Sequence, residues 1–271
     1  MAHHHDHDFF IPAPSIWAPL SCIGGGIMAF GFLFTLHPTD FGMSASIAHL
    51  IMAMGFTLLA FCVFQWWRLL VHEARHRGFK EGSVPVVLDL ANRYGMVFFI
   101  ASEVMFFAAF FAAFFYLSGM NVWPPENIET LTLHLPTVNT LLLLTSGVTV
   151  TWAHHAMQEG NRSRTRKMIF LTYLLGVIFL SCQMYEYHHA SFALHDGVYG
   201  STFYMLTGFH GFHVFVGSIM LMVLHLRLSQ GDFSAKEHFY FEATAWYWHF
   251  VDVVWIGLYL FVYLLPNGGH H

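Results

Sequence analysis

Seven times along its 271 residues the chain runs for about twenty residues with few or no charges. The runs are 15–36, 42–66, 94–118, 136–157, 168–187, 200–226 and 240–264. As a helix, a run of that length crosses about 30 Å of hydrocarbon. A membrane β-barrel would instead show short alternating segments of about ten residues. Composition agrees with helices in lipid. Hydrophobic residues make up 56% and charged residues 10%, against about 25% charged in an ordinary soluble domain. The expected fold class is an all-α membrane protein with seven transmembrane helices. The first run lacks a basic leader and a small-residue cleavage site, so a span is expected there and not a secretory signal.

The basic residues orient the helices. Arg68, Arg75, Arg77, Lys80 and Arg93 lie between the second and third runs. Arg162, Arg164, Arg166 and Lys167 lie between the fourth and fifth, and Arg227 and Lys236 between the sixth and seventh. The other three connections hold none, so with seven helices all eleven basic residues share one face. The positive-inside rule makes that face the cytoplasmic or matrix side and puts the N-terminus inside. The longest polar segment, 68–93, separates two helices from five. The organisation expected is an inner tail over 1–14, a two-helix bundle over 15–67, the basic connection 68–93, a five-helix bundle over 94–265 and an outer tail over 266–271.

Several motifs carry a chemical suggestion. His72, Glu73 and His76 spell H-E-x-x-H, which on a helix places two imidazoles on one face for zinc with the glutamate as base. Arg68, Arg75 and Arg77 crowd the same stretch and disfavour a dication. Glu186 and His189 have Glu-x-x-His spacing, but a di-iron bundle needs that motif twice; the simpler expectation is a polar helix end. Cys22, Cys62 and Cys182 form no spaced pair and are expected as buried small side chains. His154, His155, His210, His213 and His249 lie at membrane depth. They suit haem or copper ligation, or polar contacts between helices. His249 and Asp252, three residues apart on one helix face, are expected to satisfy each other.

Glu103 raises the sharpest question. It sits in FFIASEVMFFAAFFAAFF, residues 98–115. On a helix it shares a face with Phe99, Phe107, Phe110 and Phe114. Ala101, Ala108, Ala109, Ala112 and Ala113 lie opposite, a seam suited to close helix approach. An intramembrane carboxyl is a functional candidate by default. The alternative is a neutral carboxyl bonded to a backbone carbonyl or a polar neighbour.

Longer words of the sequence then resemble a known family. QWWR at 65–68, RYGMVFFIASEVMFF at 93–107, WPP at 123–125, LPTVNT at 135–140 and SGVTVTWAHHAMQEGNR at 146–162 are similar to cytochrome c oxidase subunit III of the aa3-type haem–copper oxidases. So are DGVYGSTFYMLTGFHGFHVFVGS at 196–218 and FEATAWYWHFVDVVW at 241–255. The resemblance covers essentially the whole chain.

It implies two-helix and five-helix bundles around a lipid-filled cleft, in a bacterial cytoplasmic or mitochondrial inner membrane. It implies no catalytic residue, no metal and no cofactor in this chain beyond structural phospholipids. Haem a, haem a3 and copper are expected in partner subunits. The implied partners are subunits I and II, membrane phospholipids, and cytochrome c as substrate of the complex, with no nucleic acid. The implied work is to sustain proton uptake by subunit I and to guide oxygen through the cleft. Trp67, Glu73, His213 and Arg227 match family residues around bound phospholipid, and Glu103 matches the buried carboxyl of the family's S-E-V motif. Two departures stand out: GSVP at 82–85 replaces a headgroup histidine with Ser83, and Ala112 stands where the family often has Trp. The resemblance accounts for Glu73 without a zinc site. Two alternatives remain at this level, a quinol-oxidase subunit III and a membrane zinc protease using HEARH. The tail histidines His3, His4, His5 and His7 suggest a proton buffer at the inner face, since imidazole titrates near pH 6.5.

Overall fold

The computed structural model describes residues 14–37, 41–76, 86–125, 132–235 and 237–267. The tail histidines and Ser83 lie outside these residues. Seven long helices are present, and no strand occurs among the described residues. They are α1 (Trp17–Leu36), α2 (Ala45–His76), α3 (Val86–Met120), α4 (His134–Gln158), α5 (Arg162–His189), α6 (Gly197–Gln230) and α7 (Phe239–Leu258). After α7 the chain continues as a π-helical turn (Tyr259–Leu264) and a last turn (Leu265–Asn267).

The helices outrun the apolar segments that announce them. α2 continues to His76 and α3 already begins at Val86, so Arg68 and Arg93 stand on helices and not in a connecting loop. Hydropathy marks the greasy part of a helix, but its hydrogen bonds continue for as long as the backbone can pair. Short connections have local causes. Gly160 (φ +73°) and the side chain of Asn161, which accepts from the Arg164 N–H at 3.1 Å, turn α4 into α5. Gly231 (φ +82°) ends α6 in the left-handed region that glycine tolerates.

The chain divides into two compact units, 1–79 and 80–271. In the first, α1 and α2 meet along their smallest residues. Every described buried residue there is small: Ser21, Gly24 and Gly31 on α1, and Ala48, Gly55 and Cys62 on α2. On α2 these fall seven residues apart, as Gly24 and Gly31 do on α1, the spacing that keeps one seam facing a partner. A Cβ on Gly31 would lie 2.4 Å from the Met52 nitrogen, and one on Gly55 would lie 2.2 Å from that of Met28. Of the three cysteines, all free, only Cys62 is buried; Cys22 is exposed and Cys182 half-buried. The expectation of three buried thiols thus fails for Cys22, whose position in an apolar run does not place it on the packed face of α1.

In the second unit α4 packs on α5 and α7, α5 on α6, α6 on α7, and α3 on α6 and α7. The core is aromatic: Trp248, Trp255, Tyr263, Phe114, Phe179, Phe203 and Phe241 are fully buried. Among the described residues six helices are long and apolar enough to cross a membrane, and α4 is not one of them. Its composition explains this. Thr140, Ser146, Thr149 and Thr151 bond carbonyls of their own helix, and all four hydroxyls also reach neighbouring helices. A helix can carry such groups where its neighbours satisfy them.

Candidate functional site

α3 sets Glu103 opposite α6. Glu103 Oε2 lies 3.0 Å from His213 Nε2, with the two side chains 23% and 10% exposed. His213 Nδ1 is 2.6 Å from the Phe209 carbonyl oxygen. A carbonyl only accepts, so Nδ1 carries a hydrogen and donates it. The Glu103–His213 contact then requires one further proton, on either the imidazole Nε2 or the carboxyl. Both placements leave the pair neutral as a whole. Phe107 and Phe250 enclose the imidazole, with ring centroids 5.0 and 6.2 Å away. The Tyr247 hydroxyl donates to the His213 carbonyl oxygen at 3.3 Å.

The helical projection therefore names the correct face of α3 and misreads its use. Phe107 and Phe114 are buried, whereas Ala101, Ala108, Ala109, Ala112 and Ala113 are exposed. Phe107 packs against rings of α6 and α7, and His213 supplies a partner for the carboxyl. Neither residue reveals the other in sequence, since they lie 110 positions apart.

Arg227, near the end of α6, donates from Nε to Asp232 Oδ2 at 3.1 Å. Its guanidinium lies over the rings of Phe233 and Tyr240, 4.6 and 5.2 Å from their centroids. The side chains of Arg227 and Asp232 are 11% and 10% exposed, so this arginine is anchored beneath an aromatic cover. Trp67 is half-exposed and Glu73 half-buried, both on α2 in the first unit. His213 and Arg227 belong to the second, where Arg227 lies fourteen residues further along α6 than His213, about 21 Å at a helix's rise per residue. Of HEARH, His72 and Glu73 lie near the end of α2; the side chain of His76 is outside the described residues.

His249 Nδ1 is 3.5 Å from Asp252 Oδ2, and His249 Nε2 is 3.1 Å from the Thr151 hydroxyl of α4. Asp252 is buried against Gly147, where a Cβ would stand 2.4 Å from Oδ2, so only glycine admits the carboxylate there. Asp252 Oδ1 has no hydrogen-bond partner among the described residues. A shallow apolar recess lined by Gly147, Val148, Thr151, Trp152, His155 and His249 opens beside the pair.

Glu186 departs from the polar helix end expected of it. It is buried and accepts from Tyr263 Oη at 2.9 Å and Gln183 Nε2 at 2.8 Å. His189 is engaged separately, with Nδ1 2.9 Å from the Tyr185 carbonyl and its ring stacked on Tyr185. Tyr263 reaches Glu186 from the π-helical turn, a link that no local spacing announces. Among the described residues one group offers three metal-ligating atoms within 4.8 Å of one another: His154, His238 and Glu242.

Comparison with known proteins fits this architecture. The family model described as Cytochrome c oxidase subunit III matches residues 7–266. Cytochrome c oxidase subunit 3 of Loxodonta africana is 43% identical over 267 residues, covering 96% of this chain and 98% of the relative. The Petromyzon marinus protein of the same name is 44% identical over 269 residues with the same coverage. That of Canis lupus is 42% identical over 267 residues, again covering 96% and 98%.

Proposed function

This chain belongs to the cytochrome c oxidase subunit III family, and on that premise we propose that it is an accessory subunit of a proton-pumping oxidase with no redox centre of its own. It is a multi-pass protein of an energy-transducing inner membrane. α4 completes a set of seven spans, with the N-terminus on the inner face. Haem a, haem a3 and copper then reside in subunit I and subunit II, cytochrome c delivers the electrons, and this chain holds phospholipid and sustains proton uptake and oxygen access beside them.

The observation that carries this reading is the closed Glu103–His213 pair. A carboxyl that conducts protons must meet a succession of partners. Glu103 instead meets one imidazole, whose other nitrogen is committed to a carbonyl. The pair gives α3 and α6 a polar contact at membrane depth, which suits a structural neighbour of the catalytic subunit. The four residues matched to lipid contacts take different parts in it. Trp67 and Glu73 offer an indole and a carboxylate from α2 to the headgroup region. His213 is buried with both nitrogens engaged, so its part is to hold Glu103 in place. Arg227 shapes the headgroup surface through its anchored side chain.

The test is Glu103→Gln in the assembled oxidase, followed by oxygen consumption. The glutamine keeps a hydrogen bond to His213, so turnover stays close to the parent rate. A fall of about a hundredfold or more, the size expected on removing a proton-transfer group, overturns the reading. A related quinol oxidase would use the same subunit with another donor. A copper-binding cysteine pair in the copurifying subunit II separates the two.

A further inference from the structure

α7 opens with His238 just before its first turn and Glu242 one turn later, while His154 approaches from the last turns of α4. His154 Nε2 and His238 Nε2 are 3.2 Å apart, and His238 Nε2 is 3.3 Å from Glu242 Oε1. His238 Nδ1 lies 3.2 Å from the Ser234 carbonyl oxygen and donates to it, which leaves a lone pair on Nε2 of the neutral ring. That lone pair faces a carboxylate oxygen at 3.3 Å. His154 can donate one hydrogen to His238, but Glu242 brings none. A cation shared by the three groups would satisfy them together.

We propose that His154, His238 and Glu242 form a binding site for a divalent transition-metal cation of the zinc class. The role argued above does not depend on this site, nor the site on that role. Three features favour a metal over a proton alone. First, the spacing fits, since ligand atoms around a tetrahedral ion with bonds of about 2.0–2.1 Å stand about 3.3 Å apart. Second, the Ser234 carbonyl holds the His238 tautomer whose Nε2 coordinates, as backbone carbonyls do behind metal-bound histidines. Third, two imidazoles and one carboxylate are a donor set that zinc accepts, with the fourth position left to water.

The surroundings are compatible. Phe241 stacks on His154 at 5.3 Å and 24°, and fixes its ring plane. Gln158 brings its amide nitrogen to 3.5 Å from His154 Nε2. Among the described residues, Arg93 on α3 is the cation that bonds Glu242. It bonds Glu242 through Oε2, while Oε1 is the oxygen that meets His238, and it is balanced by Asp89 at 2.8 Å. Together Asp89, Arg93 and Glu242 carry one net negative charge, so the site does not repel a dication. Arg93 holds Glu242 with Oε1 turned inward. A bound ion ties the end of α4 to the start of α7, where the Arg93 contact already ties α3 to α7.

The test uses the full chain within its purified oxidase complex, with His3, His4, His5 and His7 replaced by glutamine to remove competing ligands. Equilibrium dialysis against radioactive zinc ion reads stoichiometry and affinity. One zinc equivalent is expected to weaken by more than about a hundredfold in His154→Gln and in His238→Gln, exceeding the loss usual for an outer partner. Glu242→Gln weakens it by about tenfold or more. Arg93→Gln frees Oε2 and tightens binding, which no purely structural role of Arg93 explains. If His238→Gln prevents assembly, His154→Gln and Glu242→Gln carry the test. Zinc binding of unchanged stoichiometry and affinity in those two variants overturns the proposal.

Discussion

α1 and α2 approach where side chains are smallest, whereas α3 to α7 are held apart and joined by some of the largest side chains available. In the first unit the contact is backbone against backbone, with Gly24, Gly31 and Gly55 occupying the crossing points. In the second, the Trp248 ring occupies a gap left by Gly176 and Gly217, where Cβ atoms would stand 2.7 and 2.8 Å from it. Its Nε1–H donates to Ser146 Oγ at 2.8 Å. Lipid is as apolar as leucine, so burying grease does little to bring such helices together; van der Waals fit and interhelical hydrogen bonds do. Among the described residues the first unit shows fit between small residues. The second uses both, and so carries Glu103–His213, Thr149–Thr172, Tyr187–Thr207 and Trp255–Thr140 between its helices.

The difference can be tested by removing volume from one unit and adding it to the other. Trp248→Ala should be the most damaging, at about 3–5 kcal/mol, because it empties a filled site and removes the indole bond to Ser146. Phe61→Ala, at an exposed ring on α2, should leave stability nearly unchanged. Unfolding of the purified chain in a denaturing detergent titration measures both, and equal losses would break the distinction.

Gly55→Leu comes next, at about 1–3 kcal/mol, since α1 must move away from α2 to admit the side chain. The same titration followed by proteolysis should show the first unit loosened first. Retention of the parent midpoint would mean that the seam does not hold the two helices.

The smallest effect sharpens the polar half of the contrast. Ser146→Ala removes the acceptor of the Trp248 indole and should cost about 0.6–1.7 kcal/mol. Ser21→Ala removes a hydroxyl that bonds only the Ala18 carbonyl of its own helix, and should fall within about 0.5 kcal/mol of the parent. A cost at Ser21 equal to that at Ser146 would show that hydrogen bonding serves both units alike.

Much of the fold was legible along the chain, because a run of some twenty apolar residues has few structures open to it in lipid. Helix number and order follow from that. Helix ends were less legible. The polar turns of α2 and α3 have no apolar residues to announce them, and α4 reads as a span by its place between loops while its hydroxyls lower its apolarity. At the candidate sites, His249–Asp252 could be anticipated since the two residues share one helix face. Glu103–His213, Glu186–Tyr263 and the His154–His238–Glu242 group could not, because each joins different helices. His238 in particular lies before the first turn of α7, where no apolar periodicity singles it out.

The sequence by itself determined that this chain is a bundle of long helices, which motifs it shares with its family, and which face of α3 bears a carboxyl. Only the tertiary structure decided what that face packs against, which histidine answers the carboxyl, and which cysteine is buried. Periodicity acts within one helix, where 3.6 residues per turn fix every neighbour. The pairing of helices depends on how surfaces interlock across the bundle, and no spacing along the chain records that.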